Sequence, residues 1–401
     1  MEPIDEPASV SDEERMLRDA LGDGLAGELR VLSREPFGSG ALTGFEEAGA
    51  QPRYWYVDTS GRRVDAETGF VLGDPEHPEA RIWLHPADPR LPALAPASFP
   101  DAAATLMARL GVSIDRPPEL LVYRPGKRAM FRMRAGERET YLKIVRPAAS
   151  ASIVELQESL RAGGVPVPHI TGWSELGIVL TETAAGVPLT SSLEELEPER
   201  LLDSIEALRQ RFGGVDTGRE ARASLGLRQE WYLGRLDRSR WAGGASAVLL
   251  DRLDAVTALV TGPDASDLVV EPAERRTIHG DLHVGQLFVD PAEPSAITGV
   301  IDIDTAGLGD PADDEAALMG HLVASIALAR ESPGRAAAFR RLLDAAARRW
   351  LAPDRPDRAR VAHRTAVHVL AHALSPLERG ELATAEAQLG IGLEVLAGSR
   401  G

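Results

Sequence analysis

Two adjoining stretches, TIHGDLHVGQLFVD (277–290) and GVIDIDTAGLGDP (299–311), decide the reading of this chain. Asp281 falls in a polar, glycine-containing loop between a helical region and the strand QLFVD (286–290). The segment AITGVIDID (296–304) alternates and predicts a returning strand, with Asp302 and Asp304 on the face opposite Ile301 and Ile303. A hairpin of these two strands brings Gln286 near Asp302. A loop carboxylate, an amide oxygen and a second carboxylate then converge. Oxygen ligands of this kind suit Mg²⁺, which keeps waters and substrate phosphates as its other ligands. Asp281 is left to orient a hydroxyl and accept its proton. Phosphoryl transfer needs these parts: a metal, a cation on the phosphates and a positioned nucleophile.

Lys143 is the candidate cation. It sits among apolar neighbours in ETYLKIV (139–145), where an unpaired charge is expensive, so a partner is expected. Glu155 and Glu158, on the helical pattern SASIVELQESLRAG (150–163), are both within reach in sequence, and spacing leans toward Glu155. Around Lys143 the chain reads as strands: LLVYR (120–124), AMFRMR (129–134) across the turn PGKR (125–128), VPVPHITGW (165–173) and GIVLTET (177–183). From Pro188 to about residue 275, and again beyond Pro311, it reads as largely helical. Strands segregated from helices predict an α+β protein of two lobes, a small β-rich one and a large helical one.

Ahead of these lies a long segment without a chemical motif. Ser11 and Glu14 predict a capping box opening a helix to about Gly22. YWYVDTSGRRV (54–64) and TGFVLG (68–73) read as a hairpin, HPADPRLPALAPASFP (85–100) as a Pro-rich connector, and 101–110 as a helix. The expected organisation is an N-terminal cap over 1–115, a small lobe over 116–183 and a helical lobe over 184–401.

Composition narrows the function classes. The 401 residues carry 44 Lys+Arg against 61 Asp+Glu, a net charge of −17, which argues against a general nucleic-acid binder. No cysteine is present, so disulfides and thiol catalysis are excluded. No apolar run has the length of a membrane span, and the acidic start MEPIDEPASVSDEE lacks the features of a secretion signal. The expectation is a cytoplasmic protein with neither nucleic acid nor membrane as partner.

The motifs HGDLH and IDIDTAGLGDPADD resemble the signatures of the aminoglycoside phosphotransferase family, small-molecule kinases with the two-lobed fold of protein kinases. The resemblance covers about 118–330. It implies ATP as phosphoryl donor, Mg²⁺ as metal and a small-molecule hydroxyl (sugar, aminosugar or aminoglycoside-like) as acceptor. It implies Asp281 as catalytic base, Gln286 and Asp302 as metal ligands, Lys143 on the α/β-phosphates with Glu155 as its partner, and backbone near Glu182 and Thr183 meeting adenine. Gln286 stands where most members have Asn, and HGDLHVGQ is similar to the maltokinase branch. Ile303 replaces a common aromatic, and the YRPGKR turn, with Lys127 and Arg128, replaces a glycine-rich phosphate loop. A nucleotide-binding scaffold without strong catalysis is the reading from another class.

The bland readings favour structure at several positions. His279 braces the loop. His363, His368 and His372 read as a solvated or half-buried helix face rather than a zinc site. Asp310, Asp313 and Asp314 read as stabilising a helix N-terminus, with a wall for a substrate amino group as the sharper alternative.

Overall fold

A computed structural model describes residues 10–64, 68–222, 228–239, 244–262, 268 and 270–398. The chain packs as two compact units, one of residues 1–154 and 170–183, the other of 155–169 and 184–401. The first is sheet-rich and the second mainly helical, so the α+β class expected from the sequence holds.

The first unit opens with α1 (Asp12–Leu21), capped as expected by Ser11, whose hydroxyl accepts from the Glu14 amide. Five strands follow: β1 (Leu29–Phe37), β2 (Gly40–Glu47), β3 (Arg53–Asp58), β4 (Phe70–Asp74) and β5 (His77–Leu84), in the antiparallel order β1-β2-β3-β5-β4. The 54–64/68–73 hairpin is therefore not formed. β3 and β4 both pair with β5, Trp55 opposite Leu84 and Phe70 opposite Ile82. The sequence reading missed β5 because HPEARIWL alternates only weakly and begins with His-Pro. Leu17 of α1 closes this sheet's core on Phe45, Val57 and Ile82.

The connector 85–100 is also more than a boundary. It holds α2 (Leu94–Ser98) and leads into α3 (Pro100–Arg109). Leu91, Leu94 and Ala97 are buried with Met107 against Phe131 and Leu142 of a second sheet. That sheet comprises β6 (Glu119–Arg124), β7 (Arg128–Ala135), β8 (Arg138–Val145), β9 (Ile170–Ser174) and β10 (Ile178–Glu182), in the order β6-β7-β8-β10-β9. Between β8 and β9 runs α4 (Pro147–Ala162), whose Ile153 packs on Val145, Ile170 and Val179. The strand expected over 165–173 starts only at Ile170. Prolines at 166 and 168 have no amide hydrogen to give a ladder.

Asp88 joins the two sheets. Its buried carboxylate accepts from the Tyr123 hydroxyl at 2.8 Å, the Gly126 amide at 2.7 Å and the Arg90 amide at 2.9 Å. Arg90 in turn reaches Asp58 at 3.0 Å, and Lys127 pairs with Glu35 of β1. The YRPGKR turn is thus fastened to the N-terminal sheet, with Leu42, Tyr56, Trp83 and Tyr123 packed between.

The second unit contains β11 (Val187–Pro188), α5 (Pro198–Gly213), α6 (Gln229–Ser239), α7 (Ala247–Thr261), β12 (Arg276–Ile278), β13 (Leu287–Val289), β14 (Ile297–Val300) and β15 (Gly307–Gly309). Four helices follow: α8 (Ala312–Leu328), α9 (Pro333–Trp350), α10 (Arg358–Glu378) and α11 (Leu382–Gly398). Their apolar faces share one core with α5 and α7, including Leu208, Phe212, Leu322, Leu343, Leu370 and Leu389. Burying a side chain of this size is worth about 1.5–3 kcal/mol, so this core is the main source of the unit's stability. Two short ladders, β11-β13-β14 and β12-β15, complete the unit, and Leu287, Val289 and Val300 belong to this core. Among the described residues no helix is long and apolar enough to cross a membrane.

Candidate active site

The HGD loop hangs between β12 and the 3₁₀ turn Val284–Gln286. Asp314, in the first turn of α8, holds it from behind. One carboxylate oxygen accepts from the His279 amide at 2.9 Å, the other from the Gly280 amide at 2.8 Å. His279 has no exposed surface. Its Nε2 meets the Ile301 carbonyl at 3.1 Å, and its own carbonyl accepts from the Thr305 hydroxyl at 2.8 Å. The bracing role expected for His279 is what these contacts perform. Gly280 has φ +84°, and a Cβ there would lie 2.8 Å from the Thr305 carbonyl oxygen, so glycine alone suits the position. Asp281, next in the chain, keeps 39% of its side chain exposed.

β13 and β14 form the expected antiparallel hairpin, Leu287 opposite Val300, and the Ile301 amide donates to the Gln286 carbonyl at 3.0 Å. Gln286 therefore stands beside the residue preceding Asp302, as the sequence reading required. The strand ends at Val300, however, and the alternation carried to 304 fails. Asp302 is left-handed (φ 60°, ψ 43°) and opens a 3₁₀ turn over Ile303–Thr305, so Asp302 and Asp304 do not share a strand face. Among the described residues it alone, apart from glycines, has positive φ. Such a conformation costs of order 1–3 kcal/mol and is tolerated best by Asp and Asn.

Gln286 is buried, and its Oε1 accepts from the His283 amide at 3.0 Å, while the His283 ring accepts from the Gly285 amide at 3.1 Å. The extra methylene relative to Asn lets the amide reach back and close this capping box. One lone pair of Oε1 remains, and Nε2 is buried without a partner. A carboxylate at Asp302 and the remaining amide lone pair fit a hard cation that draws its other ligands from water and phosphate. Among the described residues no group of three or more His, Asp or Glu is arranged to hold a metal by itself. Of the three histidines expected on a solvated or half-buried helix face, His372 is half-buried and the other two lie deeper. His363 and His368 are buried, and His363 meets the Val260 carbonyl at 3.0 Å.

The acidic run after Gly309 faces inward. Asp313 pairs with Arg364, Asp310 with Arg364 at 2.7 Å and Arg360 at 3.2 Å, and Glu315 with Arg209 at 2.8 Å and Arg355 at 3.1 Å. These carboxylates are buried and engaged, so they form no wall for a substrate amino group. Sequence reasoning missed the clamp by Asp314 and a neighbour of Asp281, His321. The two lie seven residues apart on α8, hence on one helical face, and that spacing was the available signal. His321 Nε2 lies 3.4 Å from Asp281 Oδ1. Burial pushes the Asp281 carboxyl up, but the His321 hydrogen bond and the charges of His321, His283 and His279 outweigh it and hold the group below its ordinary value.

The remaining expected residues belong to other parts of the chain. Lys143 is half-buried in mid-β8, between Met130 of β7 and Val179 of β10. Glu155 and Glu158 are both exposed on α4, in the stretch that counts with the second unit. Glu182 ends β10, and the Thr183 hydroxyl donates to the Glu139 carbonyl at 3.0 Å. The chain passes from the first unit to the second after Thr183.

Residues 126–321 match the model of the phosphotransferase enzyme family. Among solved structures, the chain is similar to a choline/ethanolamine kinase family protein from Mesorhizobium loti, at 18% identity and a TM-score of 0.49, covering 75% of this chain and 98% of that one. It is also similar to a thermostable mutant of aminoglycoside phosphotransferase APH(4)-Ia, at 17% identity and a TM-score of 0.47, covering 74% and 98%. A third is macrolide 2′-phosphotransferase MphH from Brachybacterium faecium, at 21% identity and a TM-score of 0.40, covering 73% and 97%. No curated protein matches the chain. Residues 126–321, the stretch similar to that family model, contain the clamped HGD loop together with Gln286 and Asp302.

Proposed function

We propose that the chain is an ATP- and Mg²⁺-dependent phosphotransferase acting on a hydroxyl group of a small molecule of the sugar, aminosugar or aminoglycoside-like class. The observation that carries this reading is Asp281: a partly exposed carboxylate in a loop whose preceding two amides are clamped by Asp314. A carboxylate held anionic and accessible is suited to accept a hydroxyl proton. The acceptor O–H bond breaks toward Asp281, the freed electron pair forms the bond to the γ-phosphorus, and the bond to the ADP oxygen breaks. Asp302 and Gln286 would hold Mg²⁺, which neutralises charge on the transferring phosphates when bound. Following the resemblance, Lys143 is assigned to the α/β-phosphates, Glu155 to Lys143, and the backbone at Glu182 and Thr183 to adenine.

A neutral, maltokinase-like sugar acceptor is favoured over a polycationic one by the state of the acidic run. Asp310, Asp313, Asp314 and Glu315 are committed to arginines or loop amides and leave no carboxylate there for substrate amines. The test is an ATP-consumption screen across glucose, maltose, glucosamine, kanamycin and choline, with Asp281→Asn as control. Asp281→Asn should lower turnover roughly a hundredfold or more. Unchanged turnover in that variant would remove Asp281 from the reaction.

A further inference from the structure

Asp281 is bordered by an imidazole cluster drawn from three elements. His321 of α8 places Nε2 3.4 Å from Asp281 Oδ1. Its ring lies 4.3 Å from that of His283 in the loop, nearly parallel at 28°, and 4.5 Å from that of His372 of α10, at 67°. His368, one turn before His372, is buried beneath with its ring 6.5 Å from His321, and neither of its nitrogens has a hydrogen-bond partner. The close approach of α10 to α8 depends on Gly320. A Cβ at that position would come within 2.4 Å of His368 Cβ. The residue before His321 is thus chosen for space, and His321 is held between two rings.

A purely packing role would be met better by apolar side chains than by three adjoining imidazoles. Burial, and then the proximity of His321, holds His283 down at about 4 and His372 at about 3, and burial lowers His368 as well. The rings around His321 are therefore neutral, with the Asp281 carboxylate against its Nε2 and the charge of Asp302 also acting on His283. Tyr232 of α6 stands nearby, its phenol pushed up by burial and also by the charge of Asp281. A carboxylate only accepts, so the His321 nitrogen facing it carries the proton.

We propose that His321 is a positioning residue for Asp281. Its Nε2–H donates to Oδ1, fixes the carboxylate plane and leaves Oδ2 for the acceptor hydroxyl, while His283 and His372 fix the imidazole. This rests on the phosphotransferase reading given above. Catalytic hydrogen bonds are often long before substrate arrives and tighten in the complex, so 3.4 Å is compatible with the role.

The experiment uses the full chain with MgATP, water serving as the phosphoryl acceptor, and compares wild type, Asp281→Asn, His321→Phe and His321→Gln. Imidazole ¹⁵N shifts are recorded on the same proteins, the His321 signals being those lost in His321→Gln. His321→Phe should lower kcat roughly tenfold to a hundredfold, the range typical of groups that orient a primary residue, with KM for ATP unchanged. His321→Gln, which keeps an N–H donor, should recover much of the loss. The acid limb of the pH profile should move upward in His321→Phe. In wild type the His321 ring should report a proton on Nε2, and Asp281→Asn should shift it. If Asp281→Asn abolishes turnover while His321→Phe retains full kcat, the positioning role is wrong and the phosphotransferase reading stands. If Asp281→Asn leaves turnover intact, the reading itself fails. An Nδ1–H tautomer, or ring shifts indifferent to Asp281→Asn, overturns the positioning role even where hydrolysis is too slow to measure.

Discussion

Replacing Asp314 by alanine tests how the HGD loop is held. Asp314 is 1% exposed, and its two oxygens take the His279 and Gly280 amides at 2.9 and 2.8 Å. Alanine leaves both amides buried without an acceptor, at about 1–3 kcal/mol each. Deleting a buried carboxylate also removes its own desolvation cost, which offsets part of that sum. Near it, Arg209 keeps Glu315 and Glu206, at 2.8 and 2.6 Å, so no buried cation is stranded. The net expectation is a loss of about 3 kcal/mol, in the lower half of the range for two orphaned amides. Asp314→Asn keeps one acceptor but turns an NH₂ toward the other amide, and about half the loss should remain in the best case. Urea unfolding followed by circular dichroism measures the stability. ATP turnover at a temperature where the variant is folded measures the loop, and kcat should fall because Asp281 is carried by the loosened backbone. Stability within about 0.5 kcal/mol of wild type, the span of an ordinary surface substitution, together with unchanged kcat would refute the clamp.

Asp302→Ala should abolish the Mg²⁺ dependence of nucleotide affinity, measured by titrating Mg²⁺ at fixed nucleotide. Retention of the wild-type Mg²⁺ curve would displace the metal from this residue. Lys143→Met keeps the apolar stem in β8 while removing the charge. Thermal unfolding should change little and kcat should fall sharply, whereas full activity in the folded variant would contradict the phosphate assignment. Acid should destabilise the protein through its neutral histidines. The folded values of His283 and His372, about 4 and about 3, lie below the unfolded value near 6.5, so the unfolded chain binds the extra protons. Stability is then lost as pH falls below about 6.5, at up to about 1.4 kcal/mol per pH unit for each such histidine. His372→Leu should flatten that slope in urea titrations between pH 7 and 5, and a slope equal to wild type would show that His372 charges without penalty.

The parts of this architecture governed by short-range pattern were legible in the sequence. Ser11 as a cap, the β7–β8 ladder around Lys143 and the β13–β14 hairpin that sets Gln286 beside Ile301 all follow from spacing and turn chemistry. Errors arose where tertiary context overrides pattern. Asp302 continues an alternating run yet turns left-handed, since the chain must leave the sheet to reach the Thr305–His279 contact. The 85–100 segment reads as a polar, proline-rich joint, but Leu91 and Leu94 have a sheet to cover. Histidines on α10 resemble a wet helix face until α8 is packed on them. None of these partners is near in sequence, so no local window contains the information.

The fastening of the YRPGKR turn by Asp88 bears on where this chain can be cut. The stretch matching the phosphotransferase family begins at Gly126, whose amide Asp88 holds. A fragment starting there would lack β6, bare the edge of β7, and strip Leu91, Leu94 and Met107 from the face of Phe131 and Leu142. Ending it at His321 would divide α8 and remove the helices that cover it. The segment that matches the family model is therefore not a segment that closes its own core. An unpaired strand edge beside bared apolar surface is the usual starting point of aggregation, so a trimmed fragment should be lost as precipitate before its chemistry can be assayed.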